Sequence, residues 1–200
     1  MSLERATLIA DKILMTGPHY GFADNNTLQE FIATIAHESG GFRIKEENMR
    51  YVTRESIRNT WPSRFTLTGD PKKKDPAPFV KNPEKLANEV YMRKELGNVK
   101  PGDGWAFRGS GFIQGTGRYF AEAYGKYVGI ADPVQVMQLC RTDDYWAIDA
   151  ALWEFAVDKM LLDEAAENQF VLVTKRINGA LIGWTSRDEF YQRCLKYLPN

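Results

Sequence analysis

The sequence predicts a mainly α-helical domain with at most a small β element, and three observations predict it. Apolar residues recur at helical spacing through most of the chain. Local helix starts punctuate it, at Thr53, Asn82-Pro83 and Asp132-Pro133, with glycine or proline past several of the ends. Only two stretches look extended, a short piece at 112–116 and the apolar run 170–177, and the second is as compatible with helix as with strand.

Taken in order, Leu3, Ala6, Leu8, Ile9, Ile13 and Leu14 predict a first helix to about Met15, ended by Gly17-Pro18. His19 and Tyr20 lie in the turn that follows, where His19 carries no role. Asp24-Asn25-Asn26 are turn formers, and Thr27 with Glu30 makes a T-x-x-E capping box. Leu28, Phe31, Ile32, Ile35 and Ala36 then share a face until Gly40-Gly41 stops the helix. Thr53 caps a short helix through Trp61, stopped by Pro62. Trp61 and Phe65 could stack on a sugar, but aromatic residues at helix ends are more often core.

Residues 66–82, rich in proline and carrying Lys72-Lys73-Lys74, predict an exposed loop. Its charge run is read as a solvated face rather than as a contact for an anionic wall polymer. Asn82 caps the next helix, with Pro83 at its first position, and Leu86, Val90 and Tyr91 carry it toward Gly97. Six glycines between 102 and 117 suit close backbone approach to a ligand. They match neither phosphate-binding glycine motif. Within them, Gln114 and Thr116 alternate with Ile113 and Gly115 and are expected on one side of an extended piece lining a cleft floor. A helix over 118–128, another opened by Asp132-Pro133, a longer one from Thr142 to about Met160, and a last one begun by a Ser186/Glu189 capping box complete the chain.

Two hundred residues fit a single domain, 1–200, with a substantial core. Hydrophobic residues at 44% and charged residues at 26% are ordinary for a globular protein. Lys plus Arg equals Asp plus Glu at 26 each, so bulk charge offers nothing to a nucleic acid or an anionic surface, and no nucleic-acid partner is expected. The N-terminus lacks the basic start and apolar run of a secretory signal, and no segment approaches the ~20 apolar residues of a membrane span. Synthesis in a (host) cytoplasm is expected, with any exit handled by another protein. Cys140 and Cys194 offer no zinc spacing and no disulfide framework; reduced thiols on helix faces are expected, with a single bridge left open.

The chemistry concentrates at 35–51, IAHESGGFRIKEENMRY, where Glu38 and Glu47 stand nine positions apart across a double glycine. Glu38 falls two helical turns after Phe31, on the margin of the apolar stripe, where half-desolvation favours a carboxyl that keeps its proton. Glu47 follows among Arg43, Lys45, Glu46, Asn48 and Arg50, a wet and cationic setting that favours the carboxylate. Two carboxyls pushed in opposite directions make an acid and a base. The plain alternative is a helix-end glutamate and a surface charge.

The ordered blocks AHESGGF, ENMRY, WPSRF, NPEKLANEVY, GDGWAFRGSGFIQGTGR and KRINGA resemble the catalytic domain of family 19 glycoside hydrolases over roughly residues 27–195, most closely the phage and bacterial endolysins. The resemblance implies a lysozyme-like or chitinase-like helical domain with a central cleft. It makes Glu38 the general acid, Glu47 the general base, with Glu46 the neighbour to be told apart from it, and Thr116 a hydroxyl that holds the attacking water. His37, Gln114, Tyr51 and Asn178 match sugar-contacting or acid-supporting positions, and Arg187 an arginine held near the base. Three departures, Gly115 for an aliphatic residue, Ser110 for arginine and Ala180 for glycine, touch subsite shape rather than proton transfer.

These readings predict an endolysin-type glycosidase that cleaves the β-1,4 glycan strands of bacterial peptidoglycan with inversion, its carboxyls ~6.5–9.5 Å apart to admit water. A chitinase is the nearest alternative, and a catalytically silent wall-binding module the alternative of another class. A monomer without cofactor or metal is expected. His37-Glu38 begins like H-E-x-x-H, but position 41 is glycine. There is no G-x-S-x-G, and neither cysteine has a recognisable catalytic partner.

Overall fold

The computed structural model describes residues 1–198. Eleven α-helices carry them: α1 (Leu3–Thr16), α2 (Asn25–Glu38), α3 (Arg54–Thr60), α4 (Pro83–Tyr91), α5 (Asp103–Ala106), α6 (Arg118–Val128), α7 (Pro133–Thr142), α8 (Asp144–Trp153), α9 (Leu162–Ala166), α10 (Phe170–Asn178) and α11 (Trp184–Tyr197). No strand forms among the described residues; pairing is limited to isolated bridges joining Glu46 to Ser110, Ser110 to Gly115 and Phe65 to Lys74. No described helix is long and apolar enough to cross a membrane.

Several helix starts follow from local chemistry. The side chains of Thr53, Asn82 and Asp132 accept from the backbone N–H groups of Ser56, Lys85 and Val134, which would otherwise lack partners in the first turn. Elsewhere the expectation fails for an identifiable reason. Asp24, not Thr27, caps α2: it accepts from the Thr27 N–H at 2.8 Å, and Glu30 lies inside the helix, fully buried. Asp143 rather than Thr142 caps α8, which passes at Glu154 into a π-helical turn ending at Asp158. The fourth helix stops at Tyr91, and a 3₁₀ turn, Lys94–Leu96, fills the gap to Gly97, whose φ of 73° ends it. The ambiguous run 170–177 is helical, as α10.

Two cores result. The larger joins α1, α2 and α8 through Ile9, Ile13, Phe31, Ile35, Leu152 and Phe155, with Phe22, Phe31 and Phe155 ring to ring at 4.9–5.6 Å. Each such side chain contributes roughly 1.5–3 kcal/mol by leaving water. The smaller draws all its fully buried members from residues 49–90: Met49, Ile57, Phe65, Phe79, Leu86 and Val90 among them. Phe65 is thus core, and Trp61 packs beside it against Tyr51. Two lysines of the exposed loop are tied down, Lys73 to the Pro62 carbonyl and Lys74 to Glu89. Cys140 and Cys194 are free, buried thiols on α7 and α11, pushed up to about 12 and about 11 by burial.

The glycine-rich segment runs between these two clusters, with Phe112 and Ile113 in the larger and Trp105 against the smaller. It is a set of tight turns rather than an extended piece: Ser110 N–H donates to the Gly115 carbonyl, and Gln114 adopts a left-handed φ of 58°. The Gly111 N–H donates to the Lys45 carbonyl at 2.8 Å, which fixes this turn against the segment carrying Glu46 and Glu47.

Candidate active site

Glu38 is the last residue of α2 and its side chain is 23% exposed. The apolar shoulder expected beside it is replaced by a cation: its Oε1 accepts from Nη2 of Arg187 on α11, a guanidinium only 2% exposed. Arg187 therefore stands with the proposed acid, not with the base, because α11 lies along α2 and carries it there across 149 positions of sequence. The expected Ser186/Glu189 capping box does not form. Gly183, in the left-handed region, precedes α11, and Ser186 Oγ lies 3.1 Å from His37 Nδ1. A Cβ on Gly183 would meet the His37 ring at 2.4 Å, so this glycine lets α11 start directly against α2. Burial lowers the proton affinity of His37; Arg187 adds to that and Glu38 opposes it.

Asn178 and Arg187 share a target. Asn178 Nδ2 and Arg187 Nε both donate to the Ile182 carbonyl, and Asn178 Oδ1 accepts from the Ala180 N–H. The Asn178 side chain closes the loop over 178–182. Tyr51 also turns inward, its ring 5.2 Å from that of Trp61.

Glu47 sits where the smaller core begins. Its Oε1 accepts from the Tyr91 hydroxyl at 2.6 Å, its Oε2 from the Gly109 N–H at 3.2 Å, and its own N–H donates to the Gly109 carbonyl at 3.0 Å. Of the expected cations, Arg50 shares a cavity with Glu47 while Lys45 pairs with Asp144; the buried Arg108, stacked 3.5 Å over Trp105, pairs with Glu46. That pairing separates the two adjacent glutamates. Glu46 is bound to a guanidinium, whereas Glu47 is held by two neutral donors and keeps oxygen lone pairs for a proton. Glu47 lines a cavity of about 280 Å³ with Asn48, Arg50 and Trp105.

Gln114 and Glu47 both reach Gly109. A Cβ there would lie 2.9 Å from Gln114 Oε1 and 3.2 Å from Glu47 Oε2, so any side chain at 109 would push on both. Gln114 Nε2 donates to the Gly111 carbonyl and Thr116 Oγ1 to the Gln114 carbonyl. Gln114 and Thr116 do face one cavity, of about 350 Å³, but by turn geometry rather than strand alternation; Tyr119, Trp153, Glu154 and Lys159 complete its wall. Burial pushes the Glu154 carboxyl up to about 7, and the nearby charge of Glu38 adds to the effect. Glu47 and Gln114 both reach Gly109, and Glu154, which feels the charge of Glu38, lines the cavity of Gln114 and Thr116.

The sequence reading missed Tyr91 and Glu154. Tyr91 counted only as an apolar helix position, and nothing local marks its hydroxyl. Glu154 had a signal, a carboxyl interrupting the run Leu152-Trp153-Glu154-Phe155-Ala156. Among the described residues no group of three or more His, Cys, Asp or Glu side chains could hold a metal ion.

Gly115, the departure at the cleft wall, also has a cause. A Cβ there would fall 2.2 Å from Phe120 Cζ, so the phenyl ring occupies the space an aliphatic residue would take. Gly115→Ala must displace that ring. We expect a loss of about 1–3 kcal/mol in urea unfolding, the range for overpacking, with a parallel fall in activity because Thr116 follows directly.

The chain matches no family model. It is 32% identical over 174 residues to a "Glycosyl hydrolase family 19 domain-containing protein" of Haemophilus influenzae, an alignment spanning 84% of this chain and 78% of that protein. Its fold is similar to that in a crystal structure of a mutant of chitinase C, with a TM-score of 0.54 and 19% identity over 87% of this chain and 72% of that one.

Proposed function

The chain belongs to glycosyl hydrolase family 19 and is a glycoside hydrolase, and from that premise we propose that it cleaves the β-1,4 glycan strands of bacterial peptidoglycan by an inverting acid/base mechanism. Glu38 gives its proton to the glycosidic oxygen as the bond to the anomeric carbon breaks. Glu47 takes a proton from the water that attacks that carbon from the opposite face, and the Thr116 hydroxyl with the Gln114 amide orients the water. The observation that carries this reading is Glu47 held by two neutral donors, the Tyr91 hydroxyl and the Gly109 N–H, with the Gln114 amide reaching the same glycine from the Thr116 cavity.

Thr116→Ala removes only the positioning of water. Its expected cost is about 10-fold in turnover, below the 10²–10⁴-fold that acid or base groups typically supply. A steady-state assay on purified wall glycan checks it, and a loss as large as that of Glu47→Gln would assign Thr116 a different role.

The short spacing of the two glutamates, and the resemblance of their blocks to endolysins, support peptidoglycan. Chitin is the second substrate to test, because the structural neighbour is a chitinase. Loss of turbidity of outer-membrane-stripped cells, measured beside release of reducing ends from chitin, separates the two. Faster action on chitin would replace peptidoglycan in this proposal.

A further inference from the structure

We propose that the cavity between α10 and α11 is a second, non-catalytic binding site for an N-acetylamino-sugar unit, which holds the polymer while the cleft cuts it. The proposal rests on the chain being a glycoside hydrolase, not on which polymer it cuts. The cavity measures about 390 Å³, within the ~300–1,000 Å³ of small-ligand sites, and neither glutamate of the cleft lines it. Three aromatic rings form one side. Phe170, only 3% exposed, lies 5.7 Å from the half-buried Trp184 and stacks at 4.5 Å on Tyr191.

Asn168, Lys175 and Asp188 supply the polar groups. Asn168 Oδ1 accepts from the Tyr191 hydroxyl at 3.4 Å and Asp188 Oδ1 from Gln192 Nε2 at 3.2 Å, which leaves the Asn168 amide donors and the second Asp188 oxygen for a ligand. Among the described residues, neither Lys175 nor Asp188 joins an ion pair. Opposite charges on one wall disfavour an anion and a cation alike, and the polar groups disfavour a hydrocarbon. A pyranose satisfies the whole set. Its C–H face covers an aromatic ring, while its hydroxyl and acetamido groups exchange hydrogen bonds with a carboxylate, an amide and an ammonium. The position suits a polymer. Gly183, packed on the His37 ring, and Arg187, bound to Glu38, share one stripe of α11, and Trp184 and Asp188 lie about 100° round the same helix. With side chains a helix is about 10–12 Å across, so one strand can engage cleft and cavity together, and the second contact raises the local concentration of that strand at the first.

Two arms test this on the full chain. In the first, the Glu38→Gln protein is titrated with the soluble tetrasaccharide of β-1,4-linked N-acetylglucosamine and followed by ¹⁵N NMR. Amides at 168–172 and the Trp184 indole N–H should shift, and a further Trp184→Ala or Asp188→Ala substitution should weaken that response about 10-fold, the loss of one good contact. Signals there that stay unmoved at roughly 10 mM tetrasaccharide overturn the proposal. In the second arm, Asp188→Ala in the active enzyme should leave cleavage of soluble tetrasaccharides from either polymer within about 2-fold, and slow digestion of insoluble polymer about 10-fold. Peptidoglycan and chitin run in parallel show which polymer the cavity holds. Equal losses on short and insoluble substrates also overturn the proposal, because the substitution would then act on the cleft or the fold. Should Trp184→Ala fail to fold, as judged by circular dichroism, Asp188→Ala, which leaves the rings in place, decides alone. An unmodified enzyme inactive on every glycan would remove the proposed function, and the NMR arm would still decide whether the cavity binds the sugar.

Discussion

Glu38→Gln will stop hydrolysis while leaving the fold in place, with turnover on wall glycan falling on the order of 10³-fold. The substitution keeps size and shape. Its amide oxygen can still accept from Arg187 Nη2, so α2 and α11 remain tied at the point where they meet. What disappears is a proton that can leave at an accessible pH, since an amide N–H is no acid in water. The same atoms make the comparison with Glu47→Gln informative. There the amide oxygen still accepts from Tyr91 or Gly109, and the loss is of a proton acceptor for water. Both variants should unfold within about 1–2 kcal/mol of the parent while failing in turnover, which distinguishes missing chemistry from a damaged cleft. A Glu38→Gln enzyme that lyses cells at the parental rate would remove Glu38 from the mechanism.

Much of the helical framework was legible in the sequence because its signals are local. Thr53, Asn82 and Asp132 cap what they are expected to cap, since an N-cap needs only a side-chain oxygen two or three residues before an unpaired N–H. The two T/S-x-x-E patterns misled for the complementary reason. Thr27 and Glu30 lie inside α2 because Asp24 offers an earlier oxygen, and Ser186 turns toward His37, a partner that local spacing cannot reveal. The electrostatics of the site were the least legible. Arg43, Lys45 and Arg50 are neighbours of Glu47 in sequence, yet Lys45 spends its charge on Asp144, and the cation that matters, Arg187, reaches Glu38 from the far end of the chain. The cleft turn lies between these cases. Glycine density announced close backbone approach, but the left-handed Gln114 and the Phe120 ring seated against Gly115 depend on contacts that no period in the sequence encodes.

The helix that presents Glu38 should also make the protein lose stability as pH rises, and Glu30 is the reason. It lies two turns before Glu38 on α2, fully buried, and neither carboxyl oxygen has a hydrogen-bond partner. Burial pushes its carboxyl from the ordinary 4.5 up to about 8. Between those values the folded protein holds a proton that the unfolded chain has released, so stability is full below about 4.5 and is lost as pH climbs through about 8. At its steepest the loss is ~1.4 kcal/mol per pH unit, a few kcal/mol across the window. Glu154 acts in the same sense up to about 7, whereas His37, kept neutral by burial, acts in the opposite sense near its own lower range. Glu30→Gln cannot ionise and fills the same space. Urea unfolding at acid and mildly alkaline pH should therefore show a flatter dependence in the variant than in the parent, with the variant the more stable of the two at the alkaline end. Parallel curves would mean that Glu30 finds a partner in solution and that α2 carries its buried carboxyl at no cost that depends on pH.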